Sequence, residues 1–440
     1  MKEKAFTFVV ILSAIFIFLN VHVVHSQGPA ELKEIRIGAI CSLTGGFAPA
    51  GGIFTYRGLV MAIDAFNDRG GVLGKYKVVP VIADDQSNPD ISVRELERLI
   101  SVEKCDIVVG TFGSSVATAC AAASEKNKII WWNTGAGADG VLRDKHYRYV
   151  FRTNMMTSDL GRSAVRYVAQ NYRKIGVNSL GELKLASLTE DSPFGSFARL
   201  GNQEEAKKQG IPIVFDEAYS YNTKDMSSLI LKMKASGQNV ILHTGYAPDI
   251  LLFNKQAREL GLKTKVLVGE GTLYSDNIQM EKVLGKDYVN YLNSSDITPL
   301  QLIDKKKVTP EIAKLLEEFP DRALKKYNDP NPGALYAYTF SGVWVLLRNV
   351  LPGVIEKFGK VSPEAVREVC SRLDIPDGQT PIWYGVKFEP PEAQFAGQNM
   401  RAFPSVQQYI DGKPHVVFPE GLRTIEPVIP FPANHPLAAR

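Results

Sequence analysis

Two adjacent serines, Ser114 and Ser115, begin a helical pattern directly after the β-rich run Asp106–Gly110. The first N–H groups of a helix lack intrahelical partners, and the helix dipole adds partial positive charge there. Together with a serine hydroxyl, these groups suit a carboxylate or a phosphate. A plain N-cap uses the same residue type, so the sequence leaves both an anion site and a simple cap open at this point.

Glycines and an aromatic residue accompany these serines. Phe112 and Gly113 precede them, and Gly135-Ala136-Gly137 follows the next apolar run, Ile129–Asn133. A residue without Cβ lets the backbone approach a ligand closely, although glycine is equally common in turns. An aromatic ring can stack on a flat ligand or simply belong to the core. We interpret all five residues as candidate ligand contacts.

A single carboxylate stands between two glycines in Gly269-Glu270-Gly271, at the end of a predicted strand. Such an acid is costly to bury unless a cation pairs with it, and the ammonium group of a ligand would be such a cation. A solvated loop acid is the alternative. The pair Asp84-Asp85 has no histidine or third acid at metal-ligand spacing, so we interpret it as a hydrogen-bond acceptor in a loop.

The sequence offers little support for catalysis or for a cofactor. Gly135–Gly140 fits the G-x-G-x-x-G pattern, but Val141–Arg152 shows no apolar stripe of the helix that this fingerprint must open. No G-x-S-x-G, H-E-x-x-H or P-loop occurs, and His243 ends an apolar run typical of a core strand. We therefore expect no cofactor, no metal and no enzyme activity; an α/β amidase or oxidoreductase is the less favoured alternative.

Alternating β-rich and helical runs predict the elements that position these residues. The first set spans Ile35–Asn133, and the alternation restarts after Arg152 and continues to Val268. In parallel sheets ligands bind beyond the carboxyl ends of the strands, which is where the polar and glycine-rich segments fall. The later segment Asn293–Pro332 is polar and less regular, and strands are predicted again from Thr380.

The predicted fold is α/β with two lobes, each a mostly parallel sheet flanked by helices. We expect residues 27–153 with 294–378 in the first lobe, residues 154–293 with 379–420 in the second, and an extended tail over 421–440. A chain of 440 residues, 45% apolar, is too large for one ordinary core. A net charge of +4 offers no concentrated basic face for nucleic acid.

The N-terminus predicts export. Residues 1–26 are typical of a signal peptide, because Lys2 and Lys4 precede the apolar run Ala5–Leu19. That run is shorter than a bilayer span, although a membrane anchor is the alternative. We expect a soluble, monomeric protein in the periplasm. Four cysteines would permit three pairings in that oxidising compartment, and the sequence does not choose among them.

In order and spacing, several segments resemble the leucine/isoleucine/valine-binding protein family, the substrate-binding components of branched-chain amino-acid ABC importers. The resemblance covers nearly the whole chain after residue 26. It rests on Ile37-Gly38-Ala39, Leu43-Thr44-Gly45, Asp84-Asp85, Gly110–Ser115, Gln256-Ala257-Arg258, Gly261–Thr264 and Gly269-Glu270-Gly271. It implies a type I periplasmic binding protein, in which two lobes close on a small molecule that is then delivered to a membrane permease.

The resemblance also implies how a ligand is held. A ligand carboxylate would meet Ser114 and the backbone around Gly135 and Gly137. A ligand ammonium would meet Glu270, and Tyr246 would close over it. An amino acid or a related small molecule is therefore the expected ligand. A sensory protein of the same fold, read by a partner receptor, is an alternative.

The walls of the implied site depart from the family pattern. Phe194 corresponds to an aromatic wall of the second lobe, and Ala50 to a first-lobe wall where a larger residue is common. Gly137 stands where amino-acid binders commonly place a threonine, and Ser87 and Gly113 replace the cysteines of a first-lobe disulfide. These departures keep aromatic acids, amides and other small organic acids open as ligands.

Overall fold

The computed structural model describes residues 32–439, apart from the side chains of residues 272, 277 and 278. The predicted signal peptide, residues 1–26, lies outside this range. The strands are β1 (Lys33–Cys41), β2 (Tyr76–Asp84), β3 (Ile107–Gly110), β4 (Ile130–Asn133), β5 (Val150–Arg152), β6 (Leu185–Glu190), β7 (Ile213–Tyr219), β8 (Val240–Thr244), β9 (Val266–Glu270), β10 (Asn293–Asp296), β11 (Asp374–Ile375), β12 (Val386–Lys387), β13 (Ser405–Ile410) and β14 (Lys413–Phe418).

The α-helices alternate with these strands as the sequence predicts. They are α1 (Ile53–Asn67), α2 (Pro89–Ser101), α3 (Ser114–Asn127), α4 (Thr157–Gln170), α5 (Tyr172–Ile175), α6 (Pro193–Gln209), α7 (Ser227–Ala235), α8 (Ala247–Glu259), α9 (Asn277–Leu284), α10 (Lys286–Val289), α11 (Pro310–Tyr327), α12 (Ala334–Val345), α13 (Leu351–Phe358) and α14 (Pro363–Cys370). Local sequence starts several of them: the Asn88 side chain accepts hydrogen bonds from Asp90 N and Ile91 N, with Pro89 in the first turn.

The first sheet is parallel throughout, in the order β2-β1-β3-β4-β5. Strand order reverses between β1 and β3, which opens a crevice at their carboxyl ends. The second sheet has the order β14-β13-β10-β9-β8-β6-β7 and is parallel from β7 to β10, with β13 and β14 antiparallel. In this second sheet the strand order reverses between β6 and β8. The predicted α/β architecture with two mostly parallel sheets is confirmed.

The C-terminal helices complete the core of the first sheet. One hydrophobic cluster joins β1, β3 and β4 to α1, α11, α12 and α14. All twelve residues of α12 are buried, because α1 covers one side of it and the rest of this cluster the other. The opposite face of the first sheet packs against α2 and α3. Two further clusters cover the two faces of the second sheet.

The polar segment Asn293–Pro332 is more regular than the sequence predicts. It contains β10, whose Asn293-Ser294-Ser295-Asp296 is polar yet buried inside the second sheet. It also contains α11, which buries Ile312, Leu315, Leu316 and Phe319 at helical spacing. This strand could not be predicted from apolar residues, because hydrogen bonds allow its polar side chains to be buried. For example, Tyr167 Oη donates to Asn293 Oδ1.

Two further features bear on the sequence analysis. All four cysteines are buried with free thiols, and residues 423–439 contain no helix or strand. Among the described residues, no helix is long and apolar enough to cross a membrane.

Candidate functional site

A cavity lies where the carboxyl ends of the two sheets meet. Counting the part that opens to solvent, the empty space in it is about 430 Å³. Its walls come from the loops after β3, β4 and β5, from the starts of α4, α6 and α8, and from α12. The lining residues are Phe112, Ser114, Gly135, Gly137, Asn154, Met155, Met156, Thr157, Leu160, Phe194, Tyr246, Leu335 and Tyr338.

Ser114 is the first residue of α3 and is not its N-cap. The cap position belongs to Gly113, which has no side chain to offer. Ser114 Oγ instead accepts a hydrogen bond from Ala138 N at 3.3 Å, so its hydroxyl proton stays available to a ligand. The hydroxyl of Ser114 therefore does not cap the helix but lies in the cavity wall, and its contact with an anion stays a prediction.

A buried arginine adds positive charge behind this loop. Arg152 Nη1 donates to Gly137 O at 2.9 Å and to Ala138 O at 2.7 Å. Burial lowers the pKa of Arg152 to about 10, so the guanidinium stays protonated at neutral pH. Within residues 32–439 it forms no ion pair. The guanidinium thus lies one peptide away from a cavity wall, with the acidic side chains of Asp139 and Asp159 near enough to offset part of the effect of burial on its pKa.

The glycines of the site are required by packing as well as by ligand access. A Cβ on Gly135 would lie 2.5 Å from Thr111 O, and one on Gly113 would lie 2.5 Å from the Phe47 ring. At Gly137 the nearest atom to a Cβ would be Thr157 Oγ1, at 2.9 Å. Of these three glycines, only Gly137 is one whose added Cβ would clash with a side chain that lines the cavity.

Aromatic rings from both sheets meet over the cavity. The Tyr246 ring centroid lies 5.6 Å from that of Phe194, 5.8 Å from Phe47 and 6.3 Å from Phe112. Phe47 and Phe112 follow β1 and β3 of the first sheet, whereas Tyr246 and Phe194 follow β8 and β6 of the second. The two halves of the molecule are therefore in contact, in a closed arrangement.

Glu270 lies buried at the end of β9 and is not among the residues that line the cavity. Its Oε2 accepts hydrogen bonds from Thr244 Oγ1 and from Asn202 Nδ2, the latter at 3.2 Å. Its Oε1 has no partner in the structure. Burial raises the pKa of Glu270 to about 7, so this carboxyl needs either a proton or a cation.

Four of the predicted site residues do not line the cavity in this arrangement. Ala50 is buried in a π-helical turn before α1, and Gly113 is covered by Phe47. The amide of Ala136 is engaged by Asn133 Oδ1 at 3.1 Å. Glu270 is the fourth. Their contact with a ligand stays a prediction, as does that of Ser114, Gly135, Gly137, Phe112, Phe194 and Tyr246, which the structure does bring together.

The segment after β5 supplies Asn154, Met155, Met156 and Thr157 to the cavity and was not predicted from the sequence. Phe47 was not predicted either. Had the three-residue strand Val150–Arg152 been predicted, the rule that ligands bind at strand ends would have pointed to this segment.

The other candidate chemical groups have structural roles. Asp84 accepts hydrogen bonds from Leu43 N and Thr44 N, as expected of a loop acceptor. His243 is buried between Tyr219 and Tyr274 and its pKa falls to about 3. Gly135–Gly140 leads into a short 3-10 turn rather than an α-helix. Among the described residues, no group of three or more potential ligands could hold a metal ion.

Comparison with known proteins supports the architecture. A family described as periplasmic binding protein matches residues 34–404. Leu/Ile/Val-binding protein homolog 7 of Brucella abortus (strain 2308) is 32% identical over 416 residues, 94% of this chain and 98% of the relative. Homolog 8 of the same strain is 30% identical over 391 residues, 89% of this chain and 92% of the relative.

Two solved structures share the fold at lower identity. The substrate-binding protein LivJ of Streptococcus pneumoniae, in complex with isoleucine, has a TM-score of 0.68 at 20% identity, covering 88% of this chain and 100% of that one. A solute-binding protein of R. palustris, in complex with benzoate, has a TM-score of 0.68 at 17% identity, covering 87% and 95%.

The chain belongs to the periplasmic binding protein family. The resemblance to the leucine/isoleucine/valine-binding proteins and the two-lobed type I fold are confirmed. So is the predicted functional class, a substrate-binding protein of the kind that serves branched-chain amino-acid ABC transporters. This is a class of binding proteins and not of enzymes.

Proposed function

We propose that this chain captures a small carboxylic acid with an apolar body, foremost an α-amino acid, by closing its two lobes around it. The observation that carries the proposal is the cavity itself. The start of α3 and a buried arginine lie on one side, and apolar and aromatic walls enclose the rest.

The carboxylate would accept a hydrogen bond from Ser114 Oγ and from backbone N–H groups at the start of α3. Arg152, fixed behind Gly137, would strengthen the attraction without touching the ligand, because charge interactions are weakly screened in a buried site. The apolar body would pack against Leu160, Leu335 and Phe194.

Glu270 supports an ammonium on the ligand. Its Oε1 is fully buried and unpartnered, and no cation contacts it in the described part of the chain. A ligand ammonium would supply both the missing charge and the missing hydrogen bond. Aromatic carboxylic acids without an ammonium are the second candidate, since the lining contains no ionised carboxylate and is rich in aromatic rings. For them, Glu270 would stay protonated.

A thermal-shift screen followed by calorimetry tests the proposal. The panel pairs L-leucine with 4-methylpentanoate, L-phenylalanine with 3-phenylpropanoate, and benzoate with benzamide. We expect at least one acid to bind and its amide or ester to bind much more weakly. Stabilisation by none of the acids, or equal binding of benzoate and benzamide where either binds, would contradict a carboxylate site.

Ser114→Ala and Ser115→Ala form a matched pair for the anion site. Ser114 lines the cavity and Ser115, the next residue of α3, does not. A hydrogen bond to a charged group contributes about 1.5–3 kcal/mol, so Ser114→Ala should weaken every carboxylate ligand by about ten-fold or more. Ser115→Ala should bind like the wild type. Similar effects of the two substitutions would place the carboxylate elsewhere.

The finer features of the biology belong to the same proposal. Residues 1–26 would direct export to the periplasm and be removed there. The closed form would deliver its ligand to an ABC permease, without chemical change to the ligand. Co-purification with a permease supports delivery, whereas co-purification with a chemoreceptor or kinase would favour the sensory alternative. Recovery of chemically altered ligand after long incubation would contradict a pure binding role.

A further inference from the structure

Two side chains in the cavity wall each have a polar atom that lacks a partner. Thr157 is 1% exposed and its Oγ1 accepts and donates no hydrogen bond. Asn154 is 2% exposed and its Oδ1 is likewise unpartnered. The other hydroxyls of the lining are engaged: Tyr246 Oη contacts Ser192 Oγ at 3.4 Å, and Tyr338 Oη donates to Asp296 Oδ1. A buried unpaired polar group is costly, so each calls for a partner in the cavity.

The orientation of the Asn154 amide is fixed by its neighbour. Its Nδ2 donates to Gly135 O at 3.3 Å. The flipped amide would set its oxygen against that carbonyl oxygen, which is repulsive. The unpartnered atom is therefore the acceptor Oδ1, which can bind only a hydrogen-bond donor.

Thr157 occupies the space that a side chain at position 137 would take. A Cβ on Gly137 would lie 2.9 Å from Thr157 Oγ1, and Thr157 N donates to Gly137 O at 2.8 Å. The Thr157 hydroxyl thus fits in this place only because residue 137 has no side chain. The hydroxyl belongs to the start of α4, whereas a side chain at position 137 would belong to the loop after β4.

Ser114 and Thr157 flank the dipeptide Gly137-Ala138, and Asn154 contacts the same loop at Gly135. Ala138 N donates to Ser114 Oγ, and Gly137 O accepts from Thr157 N. Consecutive Cα atoms are only about 3.8 Å apart. A ligand with its carboxylate at Ser114 would present the substituent of its α-carbon on this side of the cavity, which Thr157 and Asn154 also line.

We propose that Thr157 and Asn154 determine specificity by binding a hydrogen-bond donor on the α-carbon of the ligand, an amino or hydroxyl group. This inference rests on the proposed function. It makes the protein selective for α-amino or α-hydroxy acids over acids of the same skeleton that lack the substituent. Selectivity arises because an unsubstituted acid leaves the Asn154 oxygen and the Thr157 hydroxyl unpaired inside the closed cavity.

The test uses two ligand series of constant skeleton, measured by calorimetry. One is L-phenylalanine, 3-phenyllactate and 3-phenylpropanoate; the other is L-leucine, 2-hydroxy-4-methylpentanoate and 4-methylpentanoate. The wild type should bind the α-substituted members of at least one series ten-fold or more tighter than the unsubstituted member. Thr157→Val, which keeps the shape and removes the hydroxyl, should weaken the substituted members at least ten-fold and change the unsubstituted member less than two-fold.

Two further variants separate a specific role from a general loss of packing. Thr157→Ser keeps the hydroxyl and should keep the selectivity. Thr339→Val removes another buried, unpartnered hydroxyl that does not line the cavity, and it should match the wild type. The double variant Gly137→Thr/Thr157→Ala removes the hydroxyl at position 157 and introduces one at position 137. Its selectivity for α-substituted acids should exceed that of Thr157→Val.

The outcomes distinguish the two proposals. Binding of no acid by the folded wild type would overturn the proposed function and this inference with it. Equal wild-type affinity for substituted and unsubstituted acids would overturn the inference alone, because carboxylate capture would stand. A Thr157→Val variant that weakens all members of a series alike would also overturn it, since the hydroxyl would then act on the shape of the site and not on the α-substituent.

Discussion

The buried carboxyl of Glu270 predicts a pH dependence that can be worked out from the structure. Its pKa is about 7 in the folded protein, against the usual 4.5, because burial disfavours the charged form. The difference corresponds to about 3 kcal/mol. Below pH 4.5 the group is protonated in both folded and unfolded chains. Above pH 7 it is ionised in both, and the folded state carries the full cost, so this group makes ligand-free stability fall as pH rises from about 4.5 to 7.

The perturbation is Glu270→Gln, which keeps the side-chain size and removes the titrating group. Urea unfolding at pH 5 and pH 8 should show a smaller pH-dependent loss of stability in the variant than in the wild type, by up to about 3 kcal/mol. Burial also raises the pKa of Glu190 to about 7 and the pKa values of Asp249 and Asp296 to about 6, so the wild-type profile contains all of these groups and only the difference reports on Glu270. The exposed Glu356→Gln serves as the control and should follow the wild type.

The same carboxyl predicts a pH dependence of ligand affinity that is opposite to that of stability. An ammonium requires ionised Glu270, of which only about 1% is present at pH 5 when the pKa is about 7. The affinity of wild type for an amino acid should therefore rise about a hundred-fold between pH 5 and pH 8, and the affinity for the matched unsubstituted acid should not. A flat profile for the amino acid, or an equally steep one in Glu270→Gln, would refute the ammonium assignment.

Three other substitutions test the surroundings of the cavity. Arg152→Met removes two charge-assisted hydrogen bonds to loop carbonyls and should lower the free energy of unfolding by about 2 kcal/mol or more, measured in urea; an unchanged stability would contradict this. Phe47→Ala removes a ring that packs on Tyr246 across the lobes and should weaken ligand affinity several-fold in calorimetry. An unchanged affinity would show that lobe closure does not depend on this ring. Gly135→Ala would force a Cβ to 2.5 Å from Thr111 O, so it should destabilise the protein by about 1–3 kcal/mol in urea, and a neutral result would show that the loop can shift freely.

Much of the architecture could be predicted because apolar residues mark it. The strand β1 and the helix α2, with its Asn88 cap, follow directly from periodicity and capping. The strand β10 could not be predicted in this way, since four polar residues are buried there by hydrogen bonds formed only in the folded sheet. The helix α11 does carry an apolar stripe, which its many charged residues obscured.

The candidate site was predicted where strand-end loops are rich in glycine, as at Ser114 and Gly137. The depth of a side chain was not predictable from its position in the loop. Glu270 stands at a strand end, yet it is fully buried, and Thr244 and Asn202 donate hydrogen bonds to one of its two carboxyl oxygens. Thr157 was missed because its role depends on the absence of a side chain twenty residues earlier, at Gly137.

The central claim is that the closed lobes hold the carboxylate of a small acid against the start of α3. A crystal structure of the protein with the tightest acid from the screen tests it most directly. The account predicts the carboxylate within hydrogen-bonding distance of Ser114 Oγ, with Tyr246 still packed against Phe112 over the ligand. A ligand bound outside this cavity, or one whose carboxylate points away from Ser114, would contradict it.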